Sequence, residues 1–584
     1  MKKINSLGEL LFDQGWVFLA PYFLIYPFFW MINIKTQTAQ CIYIVLHVIN
    51  LFLFICYLPR LLKRTPGWGH LFWIALFFFF LIPGAYLEYP SDPWEHFRRL
   101  YSWQSLNFIR DNQPFLYNKG AYFWGWTTLF WVKPIDRRWA LDLYSAFWQW
   151  LWVFQIYLFA RRLGFEKKWA YLQAMAFVFF FGNNLFSFRY YALSTIPIAH
   201  IAYLRSLIVI MDFFEGKRRK AFPLLFLFPI IYFNHSQEVI FLILGGLLLI
   251  LLFWHEKSSP KTQKIINIIV FMIFLGSLGI WILHSFPFYF NQIGLRQLSR
   301  VWQYNFGFYE AIGIHGLISY LLAIFFISKY RLIAILTLTP VFLLIFPPSV
   351  YLIQKYLIDP TVAYRIIYAM PTSIMLLTGL KEGVQKISLK KKCFLQENIC
   401  FVITFCLLLA LATPPTYPWR GRLFFQVYMP PASNSLKAMD TTAQWLHDNR
   451  NYKPGGYLIT DSVTDFALTA HLGWTVMRPY WYHRISPHFT FRSLHSLESL
   501  LEEMNRNPKA YGYLIGIRNR IPVPPSSLIG EMSRHWKLDM ANPLIYIDHE
   551  TERASNELIT MGWKRSFVPP FYYLYELPSN PNNL

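Results

Sequence analysis

Residues 221–254 read AFPLLFLFPIIYFNHSQEVIFLILGGLLLILLFW, and this stretch decides the fold class. Two apolar runs, 221–234 and 238–254, meet at the polar turn NHSQE at 234–238. A helix needs about 20 apolar residues to cross a hydrocarbon core of about 30 Å, and the second run comes close to that length. The stretch therefore predicts two membrane helices joined by a tight turn that carries the ionisable groups.

The composition of the whole chain agrees with that prediction. Hydrophobic residues make up 55% of its 584 residues and charged residues 15%, where a soluble protein has about 25% charged residues. The chain contains 56 Phe, 37 Tyr and 23 Trp, and its five cysteines lie in or beside apolar runs. No cysteine follows residue 406, so the last part of the chain has no disulfide framework. A disordered chain, a disulfide-rich mini-protein and a cytosolic enzyme are all disfavoured, and we predict a polytopic α-helical membrane protein.

Hydropathy predicts about thirteen membrane spans in the first 413 residues. They cover 15–33, 41–59, 69–87, 139–160, 169–188, 192–212, 221–234, 238–254, 265–284, 311–328, 332–347, 363–380 and 397–413. The first is predicted to be a retained helix and not a signal peptide, because no A-x-A-like cleavage site follows it.

Lys and Arg in short loops predict the orientation of these spans, because such residues favour the cytoplasmic side. Basic clusters follow spans two, four, six, eight, ten and twelve, and two lysines open the chain. All of them therefore lie on one side, which predicts a cytoplasmic N-terminus and an outward C-terminal tail. From Thr413 onward there are 17 Lys and Arg against 14 Asp and Glu, so the net charge of +23 belongs almost entirely to the membrane part. This charge is an orientation signal, and we predict no nucleic-acid partner.

Two long segments then face outward, the loop 88–138 and the tail 414–584. We predict a transmembrane domain at 1–413 that includes the loop, and a periplasmic α/β domain at 414–584. Helices are predicted at 441–446, from 465 and at 493–505, and strands at 456–461, 511–517, 544–547 and 572–575. The tail has no GxGxxG or P-loop pattern, so no motif supports nucleotide binding.

The outward loop opens with the ionisable side chains Glu88, Asp92, Glu95 and His96. Three interpretations stay open for them. In the first, the three residues begin a helix: Asp92 is the N-cap, Pro93 is the first helical residue, and the Glu95 side chain hydrogen-bonds back to the N-cap backbone. A carboxylate here also fits a general base for an incoming hydroxyl or amide, with His96 on the same helix face. A metal site is the third interpretation, and it lacks a third ligand of suitable spacing.

Further polar side chains gather where the predicted outward turns meet the spans. They are Arg189, His235, Glu238, Arg296, Arg300, Glu310, His315, Tyr364 and Arg365. Each one alone fits a satisfied helix end or an internal pair. Together they predict an outward cavity, and the planar guanidinium of Arg suits a lipid phosphate or diphosphate because it binds two oxygens at once.

The run YRIIYAMP at 364–371 resembles the late-span Arg and Pro pattern of the GT-C superfamily, whose members are membrane glycosyltransferases that use polyprenyl-phosphate-linked sugars. The early outward loop with its acidic start, the number of spans and the outward tail resemble that superfamily too. The tail segments AQWL at 443–446 and GYLITDS at 456–462 are similar to the soluble domains of several members. The tail lacks the WWD-type motif of oligosaccharyltransferases, which disfavours that subgroup.

The resemblance implies roles for the polar residues and inversion at the anomeric carbon. A loop carboxylate, Glu88 or Asp92, would deprotonate the acceptor, and Arg365 with Arg296 or Arg189 would stabilise the leaving phosphate. The full set of candidates is Asp92, Glu88 and Glu95 as catalytic, Arg365, Arg296, Arg189 and Arg300 as donor-phosphate-binding, and His96, His235, Glu238 and Tyr364 as supporting.

We therefore predict a glycosyltransferase of the bacterial inner membrane. Its donor would be a polyprenyl-phosphate-linked sugar and its acceptor an envelope glycan, lipid or protein, with membrane lipids around it. No cofactor is assigned, and a divalent metal is left open. A polymerase or ligase of envelope polysaccharides is the alternative enzyme. A transporter or flippase is disfavoured because the sequence has no internal repeat and its ionisable residues gather at one face.

Overall fold

The computed structural model of the protein describes most of the predicted spans and part of the tail. The described segments are 67–81, 137–180, 194–216, 223–235, 237–265, 306–345, 360–388, 396–412, 457–460, 475–477, 510–516, 564–568 and 572–576, with isolated positions between 38 and 52, 268 and 276, 441 and 449, and at 353 and 559.

Before residue 413 the described segments consist of helices and the turns that join them. The α-helices are α1 Gly67–Leu81, α2 Arg137–Arg162, α3 Lys167–Phe180, α4 Ile196–Phe214, α5 Leu224–Asn234, α6 Gln237–Lys257, α7 Phe306–Phe325, α8 Arg331–Ile345, α9 Thr372–Ser388 and α10 Gln396–Ala412. A 3-10 helix, Pro360–Ala369, precedes α9. Among the described residues, α4 and α6 are long and apolar enough to cross a membrane, with 19 and 21 residues.

Local sequence explains where several of these helices begin and end. Pro197 lies in the first turn of α4, where its missing N–H leaves no intrahelical bond unmade. Gly164 and Gly216 follow α2 and α4 with φ of 92° and 90°, a conformation that glycine adopts without a steric cost. The chain can therefore leave each helix in a tight turn.

The helices pack into one apolar core in which large aromatic side chains are fully buried. Helix α2 packs against α1, α3 and α4, and α4 also packs against α5 and α6. Helix α9 joins α7, α10 and α3. The largest fully buried side chains are Trp148, Trp152, Trp169, Tyr43 and Tyr203. The aromatic excess of the sequence thus lies partly in the interior and not only at the lipid boundary.

Polar contacts link the ends of α2, α4 and α6 that the sequence assigns to the cytoplasm. The Arg162 side chain at the end of α2 forms salt bridges to Asp212 at 3.0 Å and to Glu215 at 2.8 Å. Lys257 Nζ, at the end of α6, donates to the Phe214 carbonyl at 3.2 Å. The three helix ends that the basic clusters assign to one side are therefore joined by polar contacts.

A second group of contacts links α6, α8 and α9 on the same predicted side. An Arg331 guanidinium nitrogen lies 3.1 Å from His255 Nδ1. Lys329 Nζ donates to Glu382 at 2.5 Å, and the Tyr330 hydroxyl donates to the other carboxylate oxygen. Each contact joins ends that the odd–even count places together, so the described contacts agree with the predicted sides of spans four, six, eight, ten, eleven and twelve.

Helix bounds follow the predicted spans closely, with one exception. Span twelve was predicted at 363–380, but the chain forms the 3-10 helix, breaks at 370–371 and continues as α9 to Ser388. Pro371 explains the break, because it has no N–H and disfavours α-helical geometry in Met370. Spans one, two and nine lie wholly or largely outside the described residues, so the count of thirteen stays a prediction.

The tail contains a mixed five-stranded sheet with the order β2-β1-β3-β5-β4. The strands are β1 Tyr457–Thr460, β2 Thr475–Met477, β3 Ala510–Gly516, β4 Lys564–Val568 and β5 Tyr572–Glu576. Strand β1 pairs in parallel with β2 and β3, whereas β5 pairs antiparallel with β3 and β4.

Three of these strands were predicted from the sequence, and β2 and β4 were not. Helical residues at 441, 444 and 445 lie within the predicted helix at 441–446, and helical residues at 448 and 449 lie beyond its predicted end. The helices predicted from 465 and at 493–505 and the strand predicted at 544–547 lie outside the described residues. The tail as a periplasmic α/β domain therefore stays a prediction.

Candidate functional site

The predicted site residues divide into those that the structure describes and those outside it. Outside the described residues lie Glu88, Asp92, Glu95, His96, Arg189, Arg296 and Arg300. Their predicted roles rest on the sequence alone. Within the described residues lie His235, Glu238, Tyr364 and Arg365, all at helix ends that the predicted topology places outward.

The turn between α5 and α6 brings His235 and Glu238 together. His235 ends α5 in an extended conformation, with φ −156° and ψ 103°, and its N–H donates to Ile231 at 2.9 Å. Glu238 lies in the first turn of α6, where the helix dipole favours a carboxylate. Its carboxylate accepts a short hydrogen bond from His235 Nδ1, and the Glu238 side chain is only 3% exposed. The pair therefore lies at the adjoining ends of two predicted spans, and its two side chains are largely shielded from solvent.

A second histidine, His200, lies in the first turns of α4 and is fully buried. Its Nδ1 accepts from Trp152 Nε1 of α2 at 2.8 Å. Its Nε2 lies 2.8 Å from the Tyr368 carbonyl in the 3-10 helix. An indole N–H only donates and a carbonyl only accepts, so these partners fix the neutral tautomer with its proton on Nε2. This ring ties three predicted spans together at one point.

The first turn of α6, which carries Glu238, lies near His200. The ring centroid of Tyr203 is 5.6 Å from that of His200 and 5.9 Å from that of Phe241, one turn after Glu238. Helices α4 and α6 also approach closely, since a Cβ added at Gly245 would lie 3.0 Å from the Tyr203 hydroxyl. The carboxylate of the predicted turn and the imidazole of span six therefore lie in the same buried region.

Arg365 lies in the 3-10 helix, three residues before Tyr368. Side chains at i and i+3 eclipse in a 3-10 helix, so these two residues lie along one edge. The Arg365 side chain is half-buried and takes part in an interaction. Tyr364 precedes it in the same helix, which packs against α6, α7 and α8. The arginine that the sequence assigns to phosphate binding is thus one turn from the backbone carbonyl that His200 holds.

His315 of α7 lies close to the outward end of its predicted span. It is 1% exposed, and its ring centroid lies 4.7 Å from that of Phe180 at the end of α3. The described part of α7 also packs against the 3-10 helix. His315 is therefore a buried ring packed on an aromatic neighbour. It lies in the half of the bundle that the predicted topology places outward.

The helix ends that the predicted topology places outward thus carry the His235–Glu238 pair, His200 bonded to the Tyr368 carbonyl, and Arg365 one turn before Tyr368. A guanidinium can bind an anionic oxygen pair, and a fixed neutral imidazole can hold a backbone segment in place. Among the described residues no group of three or more His, Cys, Asp or Glu side chains is placed to hold a metal ion. The divalent metal that the sequence leaves open thus gains no ligand set from this part of the chain.

Sequence reasoning missed two ionisable residues of α4, His200 and Arg205. Arg205 is half-buried and takes part in an interaction within the structure. The signal was present, because ionisable side chains inside an apolar run are costly and rare. The partners of His200 were not visible in the sequence, since Tyr368 is 168 residues away from it.

Comparison with known proteins gives distant structural similarity only. No protein-family model matches the sequence, and no curated protein matches it. The apo oligosaccharyltransferase of Archaeoglobus fulgidus is 11% identical, with 78% of this chain and 70% of that chain covered and a TM-score of 0.43. The same enzyme tethered to an acceptor peptide with an NVT sequon is 12% identical, with coverages of 75% and 65% and a TM-score of 0.43.

A third structure is the archaeal oligosaccharyltransferase AglB from the same organism, in complex with an inhibitory peptide and a dolichol-phosphate. It is 11% identical, with coverages of 78% and 70% and a TM-score of 0.39.

Proposed function

We propose that this protein is an integral membrane glycosyltransferase that moves a sugar from a polyprenyl-phosphate-linked donor to a glycan, lipid or protein acceptor on the outward face of a bacterial inner membrane. The observation that carries the proposal is the position of Arg365. It lies on a ten-residue 3-10 helix at the predicted outward end of its span, and this helix packs against α6, whose first turn carries the buried Glu238. A fixed guanidinium at the membrane surface suits the phosphate of a lipid-linked donor.

In the proposed reaction a loop carboxylate, Asp92 or Glu88, removes a proton from the acceptor hydroxyl or amide. The acceptor atom then attacks the anomeric carbon, and the bond from that carbon to the phosphate oxygen breaks. The electron pair of this bond leaves with the lipid phosphate, whose negative charge Arg365 stabilises. The protonated carboxyl returns its proton to solvent. This order gives inversion at the anomeric carbon.

The loop variants Asp92→Asn and Glu88→Gln test the catalytic part. We expect at least one of them to lower sugar transfer by about 10²-fold or more, because general-base catalysis contributes about 10²–10⁴-fold. The purified protein in nanodiscs would be assayed with a polyprenyl-phosphate-linked sugar. Asp111→Asn, an acid of the same loop, is the matched control and should keep its activity. Near-normal transfer by both variants would show that neither carboxylate is the base.

Arg365→Ala tests the phosphate-binding part. Loss of a charged hydrogen-bond donor should raise the Kd for the lipid-phosphate donor by about 10-fold or more. Binding would be measured by titrating the lipid into the protein, and Arg331→Ala at the predicted cytoplasmic side is the control. Unchanged donor affinity in Arg365→Ala would rule out the role.

Mass spectrometry of lipids that copurify with the protein tests the substrate class directly. The proposal expects a bound polyprenyl-phosphate species. The mass of the reaction product separates the alternative enzyme, because a transferase adds one sugar and a polymerase adds a series of repeating units. A bound lipid of another class, with no transfer, would point to a transporter.

A further inference from the structure

We propose that His200 is a positioning residue that holds the 3-10 helix, and with it Arg365, at the donor-phosphate site. The inference rests on the proposed function for the role of Arg365. The link between His200 and the helix rests on geometry alone. His200 does not need to touch the donor, because it acts through the backbone of Tyr368.

The first step of the argument is the hydrogen bond from His200 to the Tyr368 carbonyl, near the end of the 3-10 helix. In a 3-10 helix the carbonyl of residue i accepts a hydrogen bond from the N–H of residue i+3. The partner of the Tyr368 carbonyl would be residue 371, which is proline and has no N–H. Pro371 therefore cannot donate to this carbonyl, whereas His200 Nε2 lies 2.8 Å from it and donates.

The second step is that each ring nitrogen of His200 already has a partner, the Trp152 indole at Nδ1 and the Tyr368 carbonyl at Nε2. Trp152 Nε1–H occupies Nδ1 at 2.8 Å, and the ring is fully buried. Trp152 is itself fully buried in α2. The indole therefore fixes the tautomer, the tautomer fixes the donor on Nε2, and the donor holds the end of the 3-10 helix.

The third step connects this hydrogen bond to Arg365. The 3-10 helix has ten residues, longer than most, and its hydrogen bonds are weaker than those of an α-helix. It is followed by a break at 370–371, so α9 does not extend it. A bond at Tyr368, one turn after Arg365, therefore fixes the end of the segment that carries Arg365 and that packs against α6 and α7.

The test compares His200→Phe, which keeps the ring volume and loses both hydrogen bonds, with His200→Gln, which keeps a donor. Hydrogen exchange of peptides covering 360–371 should become roughly threefold to tenfold faster in His200→Phe, the equivalent of one lost hydrogen bond. His200→Gln should show a smaller increase. The donor KM should rise by a similar factor in His200→Phe, while kcat stays within about twofold.

Ser373→Ala is the matched control. Ser373 accepts a hydrogen bond from Gln173 Nε2 at 2.9 Å, so the variant removes another buried bond between two spans, just after Pro371. It should leave both the exchange at 360–371 and the donor KM unchanged. Thermal unfolding of each variant identifies any loss of fold.

A double variant separates positioning from general packing. If His200 acts through Arg365, His200→Phe should change the donor KM by less than about twofold in an Arg365→Ala background. The same factor in both backgrounds would overturn the proposal, and so would unchanged exchange at 360–371 in His200→Phe. If the wild-type protein transfers no sugar, the proposed function is wrong. Faster exchange in His200→Phe would then still support the link to the 3-10 helix.

Discussion

Glu382 shows at the scale of single residues how a charge is held beside the membrane. Its carboxylate lies in α9, beyond the predicted end of span twelve, and is 8% exposed. Burial alone would raise the pKa of Glu382, but the hydrogen bonds from Lys329 and Tyr330 outweigh it, so the pKa lies below its usual value. The hydrogen bond to Glu382 in turn raises the pKa of Lys329 above its usual value. The group therefore stabilises the contact between the α7–α8 turn and α9 in its charged form.

The lowered pKa of Glu382 predicts a dependence of stability on acid. A carboxylate with a depressed pKa contributes stability above its unfolded pKa of about 4.5, and this contribution is lost as the pH falls through the folded pKa. Glu382→Gln should lower the free energy of unfolding by about 1–2 kcal/mol at pH 7, since Lys329 is largely exposed and its share is screened. The difference from the wild type should shrink below pH ~4.5.

Thermal unfolding in detergent between pH 3 and pH 7 measures this difference. Glu256→Gln is the matched control, because Glu256 is an exposed acid at the end of α6 on the same predicted side. It should not change the stability at either end of this range. A constant gap between Glu382→Gln and the wild type down to pH 3 would mean that the charge of Glu382 contributes nothing.

The candidate site shows which residue roles a sequence can reveal. His235 and Glu238 were predicted as one polar cluster because they share a turn, and the structure brings their side chains into contact. His200 gave no such pattern, since neither of its neighbours in the apolar run is polar. Its proposed role depends on the hydrogen bond to the Tyr368 carbonyl, 168 residues away in the chain. Only the fold brings these two residues together.

At the scale of elements, α7 and α9 approach each other at Gly379. A Cβ at this position would lie 2.5 Å and 2.7 Å from the two δ-carbons of Leu322 and 2.9 Å from its γ-carbon. Gly383, one turn further along α9, has nothing within 4 Å of the same added atom. Small residues let membrane helices pack closely, so Gly379 and not Gly383 sets the distance between these helices.

The two glycines predict opposite effects of the same substitution. Gly379→Ala should lower the free energy of unfolding by about 1–3 kcal/mol, because Leu322 must shift to admit the methyl group. Gly383→Ala should leave stability unchanged or raise it by up to about 1 kcal/mol, because alanine favours the helix. Tryptophan fluorescence during thermal unfolding of both variants makes the comparison. Equal shifts in Tm would contradict the close packing at Gly379.

Element positions were predictable from the sequence where one signal governed them. The ends of α2, α5 and α6 lie within a few residues of the predicted spans, because apolar runs between basic or polar turns define them. Span twelve was predicted as one helix since its hydropathy is continuous, whereas Pro371 divides it. Strands β2 and β4 were not predicted, because they are short strands at the two edges of the sheet and lack a clear apolar alternation.

At the scale of the whole molecule, the polar contacts divide between two ends of the bundle. Salt bridges and lysine hydrogen bonds join helix ends that the basic clusters assign to the cytoplasm, as at Arg162 and Lys329. The His235–Glu238 pair, His200 and Arg365 lie towards the opposite ends of their helices. On the side with many basic residues, the charged groups are thus paired with acids or exposed to solvent. The other side, with few charges held in buried contacts, is where we place the chemistry.

Cysteine labelling tests this division for the whole chain. In a background without the five native cysteines, Lys261→Cys, in an exposed helical segment after α6, should react with a membrane-impermeant maleimide only in inside-out vesicles. Arg565→Cys, exposed on β4 of the tail, should react only in right-side-out vesicles. Five predicted spans, nine to thirteen, lie between the two positions. Because this number is odd, the two positions should lie on opposite sides of the membrane. Both cysteines should react once detergent is added, which controls for their accessibility. Reaction of both in the same vesicle orientation would show that an even number of spans separates them, and would put the tail and the basic clusters on one side.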